Sequence, residues 1–214
     1  MASIERTAYP RFKRLPTVQN LPARSTPSEE ETSRTQQAAR PPRHQLSLLI
    51  LLKSFQRLGY FPKLDEVPLD IVQHIRKSLT LNEQIIPGYE EPRTLYRHHQ
   101  TIREYLRVTP WNQNARRLVR KNVSAAAETM DNPADLINVA LETLIKERFE
   151  LSAFSTLDRL VRRVRAVINQ RYFQTIHTRL NDAERQRLEA MLTVDNRTAF
   201  SDYQRLKQLP KSPK

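Results

Sequence analysis

Apolar residues in this chain recur mainly every three or four positions, which places them on one side of an α-helix. The most apolar segment, "LSLLILL" at residues 46–52, predicts a buried helix over residues 44–58, with Gly59 as its stop. A shorter amphipathic helix is predicted over residues 69–79, where the apolar positions are Leu69, Val72, Ile75 and Leu79. The first part of the chain is therefore predicted to be helical.

The same spacing continues through the second half. Helices are predicted over residues 93–107, from residue 110 to about 130, from residue 133, from residue 155, and from about residues 182 and 198. A short polar helix is predicted at residues 27–39. Four of these helices are preceded by residues suited to N-capping, namely Thr26, Thr109, Asn132 and Ser155. Glu29 is expected as the capping-box partner of Thr26, and Asp158 as that of Ser155.

Composition supports an all-α protein. Only 2 of the 214 residues are glycine, whereas 14 are proline, and the prolines fall between the periodic segments. Few glycines disfavour β-hairpins and glycine-rich phosphate loops. There is no cysteine, which excludes disulfides and thiolate chemistry.

The N-terminal sequence and the apolar segments indicate a protein of the cytoplasm. "MASIERTAYPRFKR" lacks the apolar run of a signal peptide. The segment at residues 46–52 is far shorter than the roughly 20 residues that span a bilayer. We therefore expect a soluble protein without membrane contact.

The net charge of +13 is distributed unevenly and points to a polyanionic partner. Residues 111–130 contain four Lys or Arg and one Asp or Glu. Residues 151–180 contain six Lys or Arg and one Asp or Glu. On helical wheels the cations fall opposite the apolar positions, as in the helix after residue 155, where Leu157, Leu160, Val161, Val164 and Ile168 lie together. The candidate DNA-binding residues are Arg93, Arg97, Arg103, Arg107, Arg116, Arg117, Arg120, Lys121, Arg159, Arg162, Arg163 and Arg165, with Arg11, Lys13 and Arg14 near the N-terminus.

No catalytic or metal site is expected. The acidic residues that lie near one another are at helix starts or in loops, where capping accounts for them. No two histidines are three or four positions apart, the spacing that a two-histidine metal site on a helix needs. We therefore predict no cofactor, no metal and no small-molecule ligand.

Two functions remain open on these grounds. Duplex DNA binding is favoured because several helices have cationic sides, whereas the 15 aromatic residues lie mostly at apolar positions and do not suggest a single-strand stacking platform. The alternative is a helical interaction module that docks on acidic protein partners. Self-association is compatible with either.

Five motifs occur in an order that resembles a known family. They are "AYPRFKR", "KSFQRLGYFPKLDEVP", "IREYLRVTPW", "DNPADLINVALETLIKERFEL" and "AFSTLDRLVRRVRAVIN". Together they resemble the N-terminal region of the replicative transposases of the Tn-three family, from about Tyr9 to Asn169. Arg24 and Ser25 stand where that resemblance leads us to expect an apolar–aromatic pair, and Ser152 stands in place of an expected proline.

The resemblance implies an all-α region with helix-turn-helix-like modules that hold the terminal inverted repeats of a bacterial transposon. In that family the Asp-Asp-Glu catalytic domain lies far downstream, so this chain is expected not to be an enzyme. Under this resemblance the interaction-module alternative includes a truncated regulator of transposition that docks on acidic partners. We expect it to be cytoplasmic and nucleoid-associated when bound to DNA. The predicted organisation is an extended basic arm at residues 1–25, two packed helical modules at 26–108 and 109–209, and a tail at 210–214.

Overall fold

The computed structural model describes residues 3–12, 25–194 and 199–208. Within these ranges the chain is helical and contains no sheet, only isolated bridges that pair Thr109 with Phe149 and Val194 with Ser201. The all-α prediction is confirmed.

Nine α-helices lie within the described residues. They are α1 (Glu29–Ala38), α2 (Pro42–Leu58), α3 (Leu69–Ser78), α4 (Pro92–Leu106), α5 (Gln113–Ala126), α6 (Pro133–Lys146), α7 (Phe154–Arg179), α8 (Asp182–Leu192) and α9 (Asp202–Gln208). Short 3₁₀ turns occupy Ile4–Arg6 and Leu64–Glu66. In this part of the chain no helix combines the length and the hydropathy needed to cross a membrane.

The chain divides into two compact units, Met1–Val164 and Arg165–Lys214. The boundary near Val108 was predicted between two DNA-binding modules, and that division into modules stays a prediction. Backbone hydrogen bonds cross that position within the first unit, as described below. The predicted tail at residues 210–214 lies outside the described residues.

The helix starts confirm one predicted cap and correct others. Asn132 caps α6 through its side chain, as predicted. Ser28 and Glu31, rather than Thr26 and Glu29, form the capping box of α1, because this helix begins two residues later than expected. The later helices differ as well: Asn112 replaces Thr109 as the cap of α5, Ser155 lies inside α7, and α9 begins at Asp202 rather than near Thr198, which is outside the described residues.

Helix α2 is the centre of the first group of buried side chains. Its residues 46–52 are all buried, and Ile75 of α3 and Ile102 of α4 join the same cluster. The buried side of α3 differs from the predicted one, since Leu69 is 64% exposed and Ile71 is buried instead. Leu69 is the first residue of α3. Its side chain therefore lies outside the part of the helix that packs on the core.

A buried ion pair attaches the polar helix α1 to α2. Lys53 Nζ lies 2.9 Å from Glu31 Oε2, and Gln56 Nε2 donates to Glu31 Oε1 at 2.6 Å. Burial alone would raise the pKa of the Glu31 carboxyl, but the Ser28 amide, Gln56 and Lys53 together hold it below its usual range. Glu31 is therefore ionised near neutral pH.

Helices α5, α6 and the start of α7 supply a second group of buried side chains. Helix α5 packs on α6 and turns Ala115, Val119 and Val123 inward. The Asn122 side chain also donates to Thr143 Oγ1 of α6 at 3.1 Å. Further buried residues are Leu136, Ile137, Ala140, Leu141 and Leu144 on α6 and Leu157, Val161 and Val164 on α7.

The segment at residues 148–152 joins the two groups. Thr109 N donates to Arg148 O at 2.9 Å, and Glu150 N donates back to Thr109 O at 2.8 Å. Leu151 N donates to Gly59 O at 2.8 Å. Tyr9, which is buried although it falls in the predicted N-terminal arm, donates from its hydroxyl to Ser152 O at 3.0 Å.

The second unit consists of the rest of α7 with α8 and α9. Asn181 and Glu184 form a capping box at the start of α8. Several large apolar side chains of this unit are exposed, among them Phe173 at 68% and Leu192 at 62%. Its described part therefore has a much smaller buried interior than the first unit.

Gly59→Ala is expected to destabilise the first unit. Gly59 has a left-handed φ of 71°, and an added Cβ would lie 3.0 Å from Leu151 Cγ. The backbone conformation alone costs a non-glycine residue about 1–2 kcal/mol. The matched control is Gly88→Ala, whose obstruction is the end of the flexible Arg43 side chain, so we expect a smaller loss. Urea unfolding of both variants measures this, and equal losses would contradict the role of Gly59.

Glu31→Gln is expected to weaken the acid dependence of stability. Because the folded pKa of Glu31 is depressed, its contribution is present above the unfolded pKa and is lost as the pH falls through the folded pKa. The variant should lose about 3–5 kcal/mol near neutral pH, since Lys53 is left buried without its partner. It should then lose less than the parent on acidification, as measured by urea unfolding across a pH series. Glu30→Gln, which breaks the exposed pair with Arg34, is the control and should behave like the parent.

Candidate nucleic-acid interface

Helix α5 carries four exposed cationic side chains and no acidic one. Within the described part of the chain none of the four has an ion-pair partner. Their spacing of one, three and one positions places them together, opposite the buried Ala115, Val119 and Val123. The α5 face consists of Arg116, Arg117, Arg120 and Lys121.

The first turns of α7 carry a second exposed cationic surface, the α7 face, formed by Arg159, Arg162 and Arg163. As predicted, these residues lie opposite buried apolar side chains of the same helix, including Leu157 and Val161. Burying that side of α7 leaves the arginines on the outside. The apolar spacing alone therefore identified the exposed side of this helix.

The arginines of the α7 face differ in how they are held. Arg162 Nη2 lies 2.7 Å from Asp158 Oδ2, whereas Arg159 and Arg163 have no ion-pair partner among the described residues. In the sequence Asp158 is the one acid near these arginines, so it is the candidate to neutralise one of them as well as an expected capping-box partner. In the structure its carboxylate pairs with Arg162 and orients it.

The predicted stripe on α4 divides into free and engaged arginines. Arg93 and Arg97 are exposed, and no described carboxylate pairs with them. Arg103 is 20% exposed in its side chain, donates from Nε to Glu150 Oε2 at 2.9 Å and lies 5.0 Å from the ring centroid of Phe61. Arg103 therefore has a packing role that the helical wheel did not show.

The adjacent histidines of α4 point inward. His98 is 1% exposed and its Nδ1 lies 2.8 Å from the Tyr89 hydroxyl. His99 stacks on Phe61 with a centroid distance of 3.8 Å. Burial, with the nearby charges of Arg97 and His44, lowers the pKa of His98 to about 4, and burial with Arg103 lowers the pKa of His99 to about 4. Both rings are neutral near pH 7 and belong to the interior of the helix packing.

Arg107 and Arg148 occupy similar places just after the ends of α4 and α6. Both are exposed and both have a φ of 54°, the left-handed region that glycine prefers. The Thr109 amide bonds to Arg148 O, so the two loops are adjacent. The sequence did not identify Arg148, because residues 131–150 contain five Asp or Glu and only two Lys or Arg.

The remaining candidate residues are less exposed or lie outside the described ranges. Arg11 is half-buried, and Lys13 and Arg14 lie outside the described residues. Arg165 is half-buried and belongs to the second unit. Among the described residues, no group of three or more His, Asp or Glu side chains is arranged to hold a metal ion.

A family model described as a domain of unknown function, DUF4158, matches residues 1–164. The match covers most of the chain, and the chain belongs to this family. Its last matched residue is also the last residue of the first compact unit. The family match and the packing thus delimit the same part of the chain, which includes the α5 face and the α7 face.

Two curated proteins are similar to the chain over more than half of its length. The transposase for transposon Tn501 of Pseudomonas aeruginosa is 26% identical over 149 residues, which are 69% of this chain and 15% of that protein. The transposase for transposon Tn1546 of Enterococcus faecium is 22% identical over 134 residues, 62% of this chain and 14% of that protein. The chain is therefore transposase-related, and it spans about one seventh of the length of these relatives.

Arg103→Ala is expected to destabilise the chain, and Arg116→Ala is expected not to. Removing Arg103 leaves the Glu150 side chain, which is 15% exposed, without its partner, at a cost of about 1.5–3 kcal/mol. Arg116 is exposed and unpaired among the described residues, so its loss should change stability by less than about 0.5 kcal/mol. Urea unfolding at matched salt tests both. A similar loss in both variants would contradict the division into engaged and free arginines.

Proposed function

We propose that this chain binds duplex DNA at the terminal inverted repeats of a transposon, and that it recognises these ends without cutting them. The observation that carries the proposal is the α5 face, four exposed cations on one side of a helix that contains no acid. A helix that served only solubility would gain from mixing both signs of charge, since opposite charges three or four positions apart stabilise it. An unopposed cationic side suits a polyanion.

The similarity to two transposases supports the choice of DNA as that polyanion. The extent of the family match adds that the α5 face and the α7 face belong to one family domain. Both faces lie in the first unit, together with the exposed Arg93 and Arg97 of α4 and Arg107 at its end. Several helices of one compact unit therefore present cations that the described residues do not neutralise.

Most of the bonds to DNA are proposed to be made to phosphates. About half to two-thirds of protein–DNA hydrogen bonds go to phosphate and sugar, and arginine and lysine supply many of them. Each neutralised phosphate releases condensed counterions, which makes the affinity depend steeply on salt. The α5 face, whose side chains have no described carboxylate to fix them, suits this sequence-independent role.

Helix-turn-helix-like recognition is proposed for α6 and α7. In that arrangement the second helix lies in the major groove and the residues in its N-terminal part contact base edges. Arg159, Arg162 and Arg163 lie in the second and third turns of α7. The preceding helix, α6, is largely buried and suits the supporting position.

Arg116→Ala combined with Arg120→Ala is expected to reduce the salt dependence of DNA binding. The slope of log K against log salt should fall by about 0.9 for each phosphate that is no longer neutralised, or about 1.8 for two. The measurement is a fluorescence-anisotropy titration over a series of salt concentrations. The probes are a duplex that carries the terminal inverted repeat of transposon Tn501 and a duplex of the same bases shuffled.

The control is Arg34→Ala combined with Arg40→Ala, which removes the same charge from α1 and the loop after it. Arg34 already pairs with Glu30, so this variant should keep the slope of the parent. An equal fall in both double variants would mean that net charge, rather than the α5 face, sets the affinity. Binding to neither duplex, with binding to an acidic protein partner, would support the interaction-module alternative instead.

A further inference from the structure

Arg162 differs from the other arginines of the α7 face in being held by a buried carboxylate. Its Nη2 lies 2.7 Å from Asp158 Oδ2, and the Asp158 side chain is 7% exposed while that of Arg162 is 44% exposed. The acid precedes the arginine by four positions, the favourable order for such a pair on a helix. One end of the pair is thus fixed inside the protein and the other reaches the surface.

Asp158 has few alternatives to this partner. Its second oxygen, Oδ1, is buried and accepts no hydrogen bond from the described residues. A buried carboxylate without a cation would be costly, so Asp158 and Arg162 hold each other in place. The guanidinium has five N–H donors in a rigid planar fork, and its bond to Oδ2 leaves enough of them for a two-bond contact outside.

We propose that Arg162 reads a guanine of the bound duplex through a two-bond contact to O6 and N7, with Asp158 as its positioning residue. Arginine paired with these guanine atoms is the commonest specific contact in the major groove. A guanidinium already fixed by Asp158 loses less conformational freedom on binding than a free side chain does. The N–H donors of the fixed guanidinium also point in one direction. A contact to a base edge requires such a direction, whereas a contact to a phosphate does not.

The neighbours of Arg162 serve as the comparison. Arg159 and Arg163 lie on the same side of α7 and are exposed, but no described carboxylate orients them. They are free to follow phosphates and are expected to add affinity without sequence preference. The α7 face therefore combines one oriented arginine with two unoriented ones. This assignment rests on the proposed duplex binding and adds to it a residue that discriminates between sequences.

The test compares Arg162→Lys with Arg163→Lys. Both substitutions keep the charge, and a lysine at position 162 can still neutralise Asp158, so the chain should fold. A lysine cannot reproduce the planar two-donor fork of arginine. The parent chain and both variants are used to select sequences from a library of duplexes with a randomised core of about 20 base pairs, roughly two turns of duplex. The selected duplex is then titrated with each single base-pair replacement.

For the parent chain we expect one guanine position at which replacement weakens binding by about 5-fold to 150-fold. Arg162→Lys should lose most of that preference, while Arg163→Lys should keep it and bind all the duplexes almost as well as the parent. Asp158→Asn should weaken the same preference with little change in the salt slope, which a purely structural role for Asp158 would not produce. Thermal unfolding of each variant confirms that the folded chain is being compared.

Three outcomes would overturn the inference while leaving the proposed DNA binding in place. The first is an Arg162→Lys variant that retains the complete base preference of the parent. The second is an Arg163→Lys variant that loses the same guanine preference to the same degree. The third is a parent chain that binds duplexes with a steep salt dependence but enriches no sequence, in which case the proposed DNA binding stands and base reading by Arg162 fails. A parent chain that binds no duplex at all removes the proposed function as well.

Discussion

The hydrogen bonds of residues 148–152 are the constraint on which the arrangement of the first unit depends. This short segment bonds to Thr109 after α4 and to Gly59 after α2, and its last residue accepts from the Tyr9 hydroxyl. The chain thereby connects the ends of helices that are distant in sequence. A left-handed residue is needed at Gly59, where Leu151 approaches the end of α2. Helix α7 starts at Phe154, two positions after the last residue of this segment, so the same bonds fix where its arginines emerge.

A division of charge follows from the packing. Helix α5 and the first turns of α7 bury apolar residues and expose arginines, whereas α6, with 7 of its 14 residues buried, carries only one cation, Lys146. Two of the ion pairs serve the fold, since Glu31 with Lys53 joins α1 to α2 and Arg103 with Glu150 joins α4 to the segment before α7. Acids that are engaged in this way do not neutralise the surface cations. In the described part of the first unit, the helix faces therefore keep unopposed positive charge.

Local patterns in the sequence predicted the helices well, since apolar spacing and the cap at Asn132 act over a few residues. They predicted the outward side of α7 for the same reason. The sequence could not show that Arg103 pairs with Glu150, which is 47 residues away, or that His98 is buried against Tyr89. The cap of α1 was misplaced because Thr26 and Ser28 both precede acidic residues at suitable spacing, and the packing of Glu31 on α2 selects Ser28. Whether the candidate arginines contact DNA stays a prediction.

The difference between engaged and unengaged arginines also explains why net charge alone is a poor guide to recognition. A free arginine in water gains attraction to any phosphate, and that attraction is the same for every sequence. Discrimination needs a donor whose direction is set before the ligand arrives, and direction is supplied by a partner inside the protein. On α7 the partner that we propose for this role is Asp158, one carboxylate among six arginines of the helix. The acidic residue that reduces the charge of this helix is thus the one that would give it specificity, because it fixes the geometry of a single guanidinium.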